Sequence, residues 1–222
     1  MGNDEGRALM EETVRNFLDG ITDFGNVKER ICFRLVNTER NRDFLSAAPH
    51  RDFMDLSAAY YVCFEMPDGR FASVAVNDRI VEDWGVTEDK LWDTAFTNTQ
   101  KILPADVGRM HDVMAELAGV DMEIPAEENG MVVVTNGKKW YGAGAVFYDA
   151  VLTRLTDILG EKIFLLPSSV HEFIALADDG KTDPAILAEM VRNINREMLS
   201  EKEYLSDSVY HYEKDGEMKV VS

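Results

Sequence analysis

The segment that most constrains how this chain can fold runs from residue 58 to residue 76. Two runs rich in β-branched and aromatic residues, 58–66 and 70–76, flank Pro67-Asp68-Gly69. That tripeptide is typical of a tight turn, because proline fixes one φ angle and glycine adopts a positive φ without steric cost. These residues predict an antiparallel β-hairpin, so the fold must contain antiparallel strands.

Hairpin signals recur in the second half of the chain. Asn136-Gly137 lies between strand-like runs in "MVVVTNGKKWYGAGAVF", and Asp215-Gly216 lies within the closing "DSVYHYEKDGEMKVVS". Asn-Gly and Asp-Gly are preferred at the centre of two-residue hairpin turns, so both stretches are predicted to form hairpins.

The stretch "LLPSSVHEFIALADDG" places two serines, a histidine and a glutamate within five positions. Its apolar ends predict a strand over residues 163–166 and a second extended run from about 170 to 176. Pro167 has no backbone N–H to donate, so it is predicted to mark a kink between the two.

Elsewhere the apolar residues follow helical spacing. The run "ICFRLV" (31–36) fits a strand or the end of a helix equally well. The predicted helices cover residues 4–20, 77–84, 87–102, 104–119, 149–159 and a stretch that begins at Asp183-Pro184. In the last of these, the residues predicted to face inward are Leu187, Met190, Val191 and Ile194.

Helices and hairpins alternate without a strict βαβ order. The predicted fold class is therefore α+β, with mixed, mainly antiparallel sheets built from hairpins and helices packed against them. The acidic loop "DMEIPAEENG" predicts a boundary between a helical and hairpin half, 1–125, and an α+β half, 126–222. One continuous domain is the alternative.

The charge of the chain limits its partners. The 222 residues carry a formal net charge of −18, from 41 acidic and 23 basic residues. Such a chain repels nucleic-acid phosphates and anionic membranes, so neither is expected as a partner.

Cys32 and Cys63 lie in apolar runs, which is typical of buried free thiols in a reducing compartment. No apolar leader and no long apolar run are present, and we expect a cytoplasmic protein.

Catalytic motifs fail on their spacing. His171-Glu172 has Ala175 where a zinc protease needs its second histidine, and the serines before it lack the glycines that flank a hydrolase nucleophile. On a strand, Ser169 and His171 share one face while Glu172 takes the other, so no triad forms. The stretches "DDGKT" and "GAGAVF" lack glycines that phosphate and dinucleotide loops require. We expect no catalytic residue, no cofactor and no metal ion.

Three separated stretches, "LVNTERNRDFLSAAPH", "MVVVTN…GAGAVF…LG…IFLLPSSVHE" and "LSDSVYHYE", resemble an uncharacterised bacterial family, domain of unknown function 5688. The likeness spans roughly residues 24–213. Members often have a longer segment before the "ERN" region, which leaves open whether this chain is a shortened form. The resemblance implies no activity. The residues that match its signature are Asn37, Glu39, Arg40, Asn41, Arg42, Pro167, Ser168, Ser169, His171, Glu172, Asp207 and Tyr210.

The functional expectation is a non-enzymatic cytoplasmic binding or adaptor protein that recognises another macromolecule, with a protein as its partner. The alternative is a hydrolase or anion-binding enzyme that uses the Ser168–Glu172 run together with Arg40 and Arg42. A third possibility is a mimic of a polyanion, formed by the acidic residues 106–130. The polar surface that serves either of the first two would comprise Arg40, Arg42, Ser168, Ser169, His171 and Glu172.

Overall fold

A computed structural model of the chain describes residue 15 and residues 20–66, 71–113 and 130–222. These residues divide between two compact units. Unit 1 comprises residues 1–33, 41–51 and 58–102, and unit 2 comprises residues 34–40, 52–57 and 103–222. Neither unit is a continuous stretch of chain.

The first sheet has four strands in the order β1-β3-β2, with β4 paired to β3. The strands are β1 (Ile31–Asn37), β2 (His50–Phe53), β3 (Leu56–Glu65) and β4 (Phe71–Ala75). The first predicted hairpin is confirmed, since β3 and β4 pair antiparallel from Tyr61 opposite Ala75 to Glu65 opposite Phe71. Its turn lies outside the described residues. The run "ICFRLV" is a strand, the first of the two possibilities.

The α-helices in the described ranges of unit 1 are α1 (Phe24–Val27), α2 (Arg42–Leu45), α3 (Asp78–Trp84) and α4 (Glu88–Ile102). Both longer helices are where the sequence predicts them. The Asn77 side chain accepts a hydrogen bond from the Ile80 N–H and caps α3, and Gly85 ends it with φ 62°. Thr99 on α4 accepts a hydrogen bond from the Phe33 N–H, which ties the helix to β1.

The second sheet has six strands in the order β10-β9-β7-β8-β6-β5, and every neighbouring pair is antiparallel. The strands are β5 (Ala105–Arg109), β6 (Val132–Asn136), β7 (Lys162–Ser169), β8 (Glu172–Ala177), β9 (Tyr210–Glu213) and β10 (Lys219–Val220). The closing hairpin around Asp215-Gly216 is confirmed as β9 and β10. Antiparallel sheets together with helices establish the α+β class.

Among the described residues of unit 2, two longer helices pack with the second sheet. They are α5 (Asp149–Leu159) and α6 (Pro184–Met198), and a 3₁₀ helix covers Gly142–Phe147. Asp183 caps α6 by accepting a hydrogen bond from the Ala185 N–H, as expected of an Asp-Pro start. The buried face of α6 packs on β7 through a cluster of apolar side chains: Phe164, Leu166, Leu187, Ala188, Val191 and Val209.

Some of the predicted elements are wrong. The run after Asn136-Gly137 forms a loop and the 3₁₀ helix, and β6 pairs with β5 and β8 instead of a following strand. Residues 105–109 form β5, so no helix begins at Pro104, whereas residues 110–113 of the predicted span are helical. Residues 114–119 and the acidic loop before Gly130 lie outside the described residues. The predicted helix over residues 4–20 also falls almost wholly outside them.

Two details near the polar cluster and on α6 also differ from the predictions. β7 continues through Pro167 to Ser169, and the predicted kink is a register shift between these two residues. β8 begins at Glu172 instead of residue 170. On α6, Met190 and Ile194 are exposed, because only Leu187, Ala188, Val191 and Asn195 face the rest of unit 2.

Candidate functional site

Three hydroxyl groups from the segment "LSDSVY" converge on the carboxylate of Asp55. Ser206 Oγ and Ser208 Oγ donate to Oδ2 at 2.5 and 3.1 Å, and Tyr210 Oη donates to Oδ1 at 2.6 Å. Burial raises the pKa of Tyr210, and its hydrogen bond to Asp55 raises it further. These contacts fix the segment to the turn between β2 and β3. Part of the family signature is therefore structural.

Asn195 ties the same segment to helix α6. Its buried amide donates to the Ser206 carbonyl oxygen at 2.9 Å and to Asp207 Oδ1 at 2.8 Å. A buried amide with both hydrogens bonded has one well-defined orientation. Asn195 therefore fixes the position of the last turns of α6 against residues 206–207.

A cavity of about 360 Å³ opens beside this contact. We call it the arginine pocket, because three of its lining residues are arginines. Arg192 and Arg196 come from α6, and Arg40 comes from the turn after β1. The acidic residues in its lining are Glu201 and Asp207.

Arg40 is held at the arginine pocket by two contacts. Its backbone N–H donates to Asn37 Oδ1 at 2.9 Å, which fixes the turn, and its guanidinium lies 3.3 Å from the centre of the Tyr204 ring. Such a stack combines cation–π attraction with apolar contact. Burial raises the pKa of Tyr204, the negative charge of Asp207 adds to this effect and the charge of Arg40 opposes it.

The Ser168–Glu172 run forms the tight turn between β7 and β8, with Ser169 opposite Glu172. Ser169 Oγ accepts a hydrogen bond from the His171 N–H at 3.1 Å, and Ser168 Oγ donates to the Glu172 carboxylate at 3.2 Å. Across the described part of the chain, the His171 ring makes no hydrogen bond to either serine. These contacts therefore do not form a catalytic pair in which histidine acts as the base for a serine nucleophile.

The His171 ring instead accepts a hydrogen bond at Nδ1 from the Tyr141 N–H, at 3.0 Å. The Tyr141 ring and the Trp140 ring lie 3.9 and 4.1 Å from the guanidinium carbon of Arg34, which is buried. Tyr141 has a φ of 50°, which is uncommon outside glycine. Arg34 was not predicted, because a lone arginine within a strand gives no local signal.

Of the expected polar surface, Arg40 and the Ser168–Glu172 turn contact adjacent residues of the chain, Tyr204 and Glu203. Arg40 stacks on Tyr204, and the Val170 N–H in the turn that contains His171 donates a hydrogen bond to the carbonyl oxygen of Glu203. Glu172 lines a smaller cavity of about 80 Å³. Arg42 begins helix α2 in unit 1 and is exposed.

Asp55, Arg192 and Arg196 were not predicted either. The one available signal was the pair of arginines four residues apart in "RNINR", which places both on neighbouring turns of one helix face. Nothing in the sequence connects that pair with Arg40, which lies about 150 positions earlier.

Helix α6 also carries a row of exposed apolar side chains. Ile186, Met190, Ile194 and Met198 are 65, 38, 48 and 75% exposed. Residues four positions apart are neighbours on a helix surface, so the four side chains form one continuous ridge about 18 Å long. We call this surface the α6 ridge.

Within the described ranges, no three His, Cys, Asp or Glu side chains come together in a way that could hold a metal ion. Cys32 and Cys63 are both buried, and no disulfide bond joins them. None of the helices in those ranges has the length and apolar character needed to cross a membrane.

The antiparallel sheets, the arginine pocket and the α6 ridge define an α+β protein with two candidate recognition surfaces. The chain belongs to a family described as "Family of unknown function (DUF5688)", which matches residues 7–214. The resemblance noted in the sequence is thus confirmed. Comparison with curated proteins and with solved structures gives no match.

Proposed function

We propose that this chain is a non-enzymatic cytoplasmic adaptor that binds another protein through the α6 ridge. The occupant is an amphipathic helix of the partner, with an apolar face and flanking lysines or arginines. The observation that carries the proposal is the row of four exposed apolar side chains at four-residue spacing.

The distribution of apolar residues around α6 supports a docking role. Leu187, Ala188 and Val191 already bury the face that packs on the sheet. A surface helix normally presents polar side chains on its remaining faces. Instead, α6 has a second apolar row, and exposed apolar patches of this kind are typical of protein-binding surfaces.

The shape of the ridge supports a helical partner. Rows of side chains at four-residue spacing pack into the grooves of another helix at a crossing angle of about −50°. Methionine at two of the four positions adds side chains that adapt to irregular partner surfaces.

Charge supports a basic partner over a second copy of the chain. Glu189 and Glu197 are exposed and lie three residues after Ile186 and Ile194, so they border the α6 ridge on one side. A second copy would bring the same carboxylates and another −18 charges to the interface. Lysines or arginines beside the partner's apolar face would pair with them.

The cytoplasmic assignment rests on the cysteines and the charge. Cys32 and Cys63 are buried and do not form a disulfide bond. Free thiols are typical of reducing compartments, and a strongly acidic chain is typical of proteins that stay dispersed at high concentration.

The test uses a fluorescent peptide with leucines at i, i+3, i+4 and i+7 and lysines on both flanks. Its control is a scrambled peptide of identical composition and charge. Anisotropy is measured with the full chain and with the Ile186→Ser/Ile194→Ser variant, whose changed positions are both exposed. Ile158→Ser on α5 is the matched control, because Ile158 is 39% exposed and lies outside the ridge.

We expect the patterned peptide to bind the wild type and the Ile158→Ser variant equally, and the ridge variant about tenfold more weakly. Glu189→Gln/Glu197→Gln should weaken binding further and reduce its dependence on salt. Equal binding of the scrambled peptide would overturn the proposal. So would a concentration-dependent dimer, seen by sedimentation, that the ridge variant abolishes.

A further inference from the structure

We propose that the arginine pocket is a binding site for the phosphate group of a small phosphorylated molecule. The juxtaposition that carries this inference is the meeting of Arg40 with Arg192 and Arg196 around one cavity of about 360 Å³. No sequence motif joins these residues; the fold alone brings them together.

The three guanidinium groups keep their charge available. Arg196 donates to the Asn193 side-chain oxygen at 2.9 Å, and Arg40 stacks on the Tyr204 ring. In the parts of the chain that the structure describes, none of the three arginines forms an ion pair with a carboxylate. Three positive charges therefore line the cavity without being neutralised in direct contact.

The local charge has the opposite sign to that of the whole protein. Three arginines against Glu201 and Asp207 give the lining a formal charge of +1, while the chain carries −18. One Asp207 oxygen already accepts the Asn195 amide at 2.8 Å. An isolated positive site on a strongly acidic protein favours a compact anion over an extended polyanion, whose other charges would be repelled.

Guanidinium groups match phosphate in geometry as well as charge. Each guanidinium group presents parallel N–H donors that bind two oxygens at once. A phosphate dianion therefore gains more binding energy from three guanidinium groups than a carboxylate does. The Tyr204 ring holds the Arg40 guanidinium group in place, so less side-chain entropy is lost when a ligand binds.

The size of the cavity indicates more than a free ion. Pockets for small molecules are about 300–1,000 Å³ in volume, and this cavity is within that range. Leu199 and Ser200 extend the lining beyond the arginines, so it offers contacts for a small body attached to the phosphate.

The inference does not depend on the adaptor function. Arg192 and Arg196 line the pocket, whereas Ile186 and Ile194 belong to the α6 ridge. Substitution of the two isoleucines leaves every pocket residue in place, so either proposal can fail alone.

The test titrates the full chain with inorganic phosphate, a sugar phosphate, a phosphoserine peptide and acetate at constant ionic strength. Binding is followed by backbone amide NMR shifts and calorimetry. The variant is Arg192→Gln/Arg196→Gln. The matched control is Arg30→Gln/Arg79→Gln, which removes the same two charges from exposed positions in unit 1. Arg40→Lys keeps the positive charge and removes the paired N–H donors of the guanidinium group. It serves as a second probe if the double variant does not fold.

We expect saturable binding of phosphate, tighter binding of the sugar phosphate and none of acetate. Affinity should fall about tenfold or more in the double variant and in Arg40→Lys, and stay unchanged in the control. The amide shifts should be confined to residues 37–40 and 192–207. Equal loss in variant and control, no saturable binding, or tighter binding of a phosphoserine peptide than of the sugar phosphate would each overturn the proposal.

Discussion

The hydroxyl group of Tyr210 donates a hydrogen bond of 2.6 Å to the carboxylate of Asp55, although 155 positions separate the two residues. Ser206 and Ser208 donate to the other oxygen of the same carboxylate. A carboxylate with three hydroxyl donors is a strong local tie, because hydrogen bonds to a charged group are about twice as strong as neutral ones.

Tyr210→Phe should lower the free energy of unfolding by about 1–3 kcal/mol. It removes one of the donors to a charged acceptor and leaves the aromatic packing intact. Urea unfolding followed by circular dichroism measures the change. Tyr212→Phe on the same strand is the control, because within the described residues the Tyr212 hydroxyl makes no hydrogen bond; its effect should stay within about 0.5 kcal/mol. A similar loss in both variants would contradict the role given to Asp55.

The free energy of unfolding should fall as the pH rises above about 10. Burial and hydrogen bonds to Glu88 and Asp55 raise the pKa values of Tyr60 and Tyr210. The unfolded chain then loses protons near pH 10 that the folded chain keeps, so stability declines by about 1.4 kcal/mol per pH unit for each tyrosine. Below that pH both states are protonated, and these groups add no pH dependence.

Denaturation series at several alkaline pH values give this slope. The Tyr60→Phe/Tyr210→Phe variant should show a flatter profile than the wild type, whereas Tyr212→Phe should not. An unchanged slope in the double variant would show that other groups govern the alkaline transition.

Gly142→Ala should destabilise unit 2 by about 1–3 kcal/mol, as overpacking does in tight interiors. A Cβ at this position would lie 2.6 Å from both Asn136 N and the His171 carbonyl oxygen, which are backbone atoms. Gly137→Ala is the matched control, since a Cβ there meets nothing within 4 Å. Thermal unfolding of the two variants should therefore differ clearly, and equal midpoints would refute the close approach.

Ser169→Ala should cost about 0.5–2 kcal/mol, because it leaves the His171 N–H without its acceptor. Ser168→Ala should cost less, since its hydroxyl bonds to the partly exposed Glu172 side chain, which water can solvate in its place. Any activity found later should change only a few-fold in either variant. Labelling of Ser168 or Ser169 by an active-site serine probe would contradict this and support the hydrolase alternative.

Local signals predicted the elements whose partners are adjacent in the chain. The β3–β4 hairpin followed from its turn residues and β-rich flanks, and α6 followed from Asp183 and Pro184. The Asn136-Gly137 hairpin failed for a local reason. The Asn136 side chain accepts from the N–H groups of Lys138 and Trp140 and donates to the Trp140 carbonyl oxygen, which holds the next residues in a loop.

Other failures reflect long-range pairing. Residues 105–109 resemble the start of a helix after a proline, but their backbone groups pair with β6. On α6, Met190 and Ile194 fit an inward face by spacing alone. The position of the sheet determines which apolar side of the helix is buried, and the sequence of the helix does not encode that position.

The candidate site was predictable only in part. Arg40 and Asp207 came from the family signature, and the structure places both in the arginine pocket. Arg192 and Arg196 gave no signal beyond their four-residue spacing, because their relation to Arg40 exists only after the chain has folded. A pocket assembled from distant segments leaves no contiguous pattern to detect.

The interleaving of the two units in the sequence has a consequence for translation. Asp55 leaves the ribosome long before Ser206, Ser208 and Tyr210, which are 151 to 155 positions further along. At a translation rate of about 5–20 residues per second, the hydroxyl partners are synthesised on the order of ten seconds after the carboxylate. Unit 2 therefore cannot be completed while its early segments, 34–40 and 52–57, emerge. A nascent chain stalled before residue 206 would expose an unfinished sheet to chaperones and proteases.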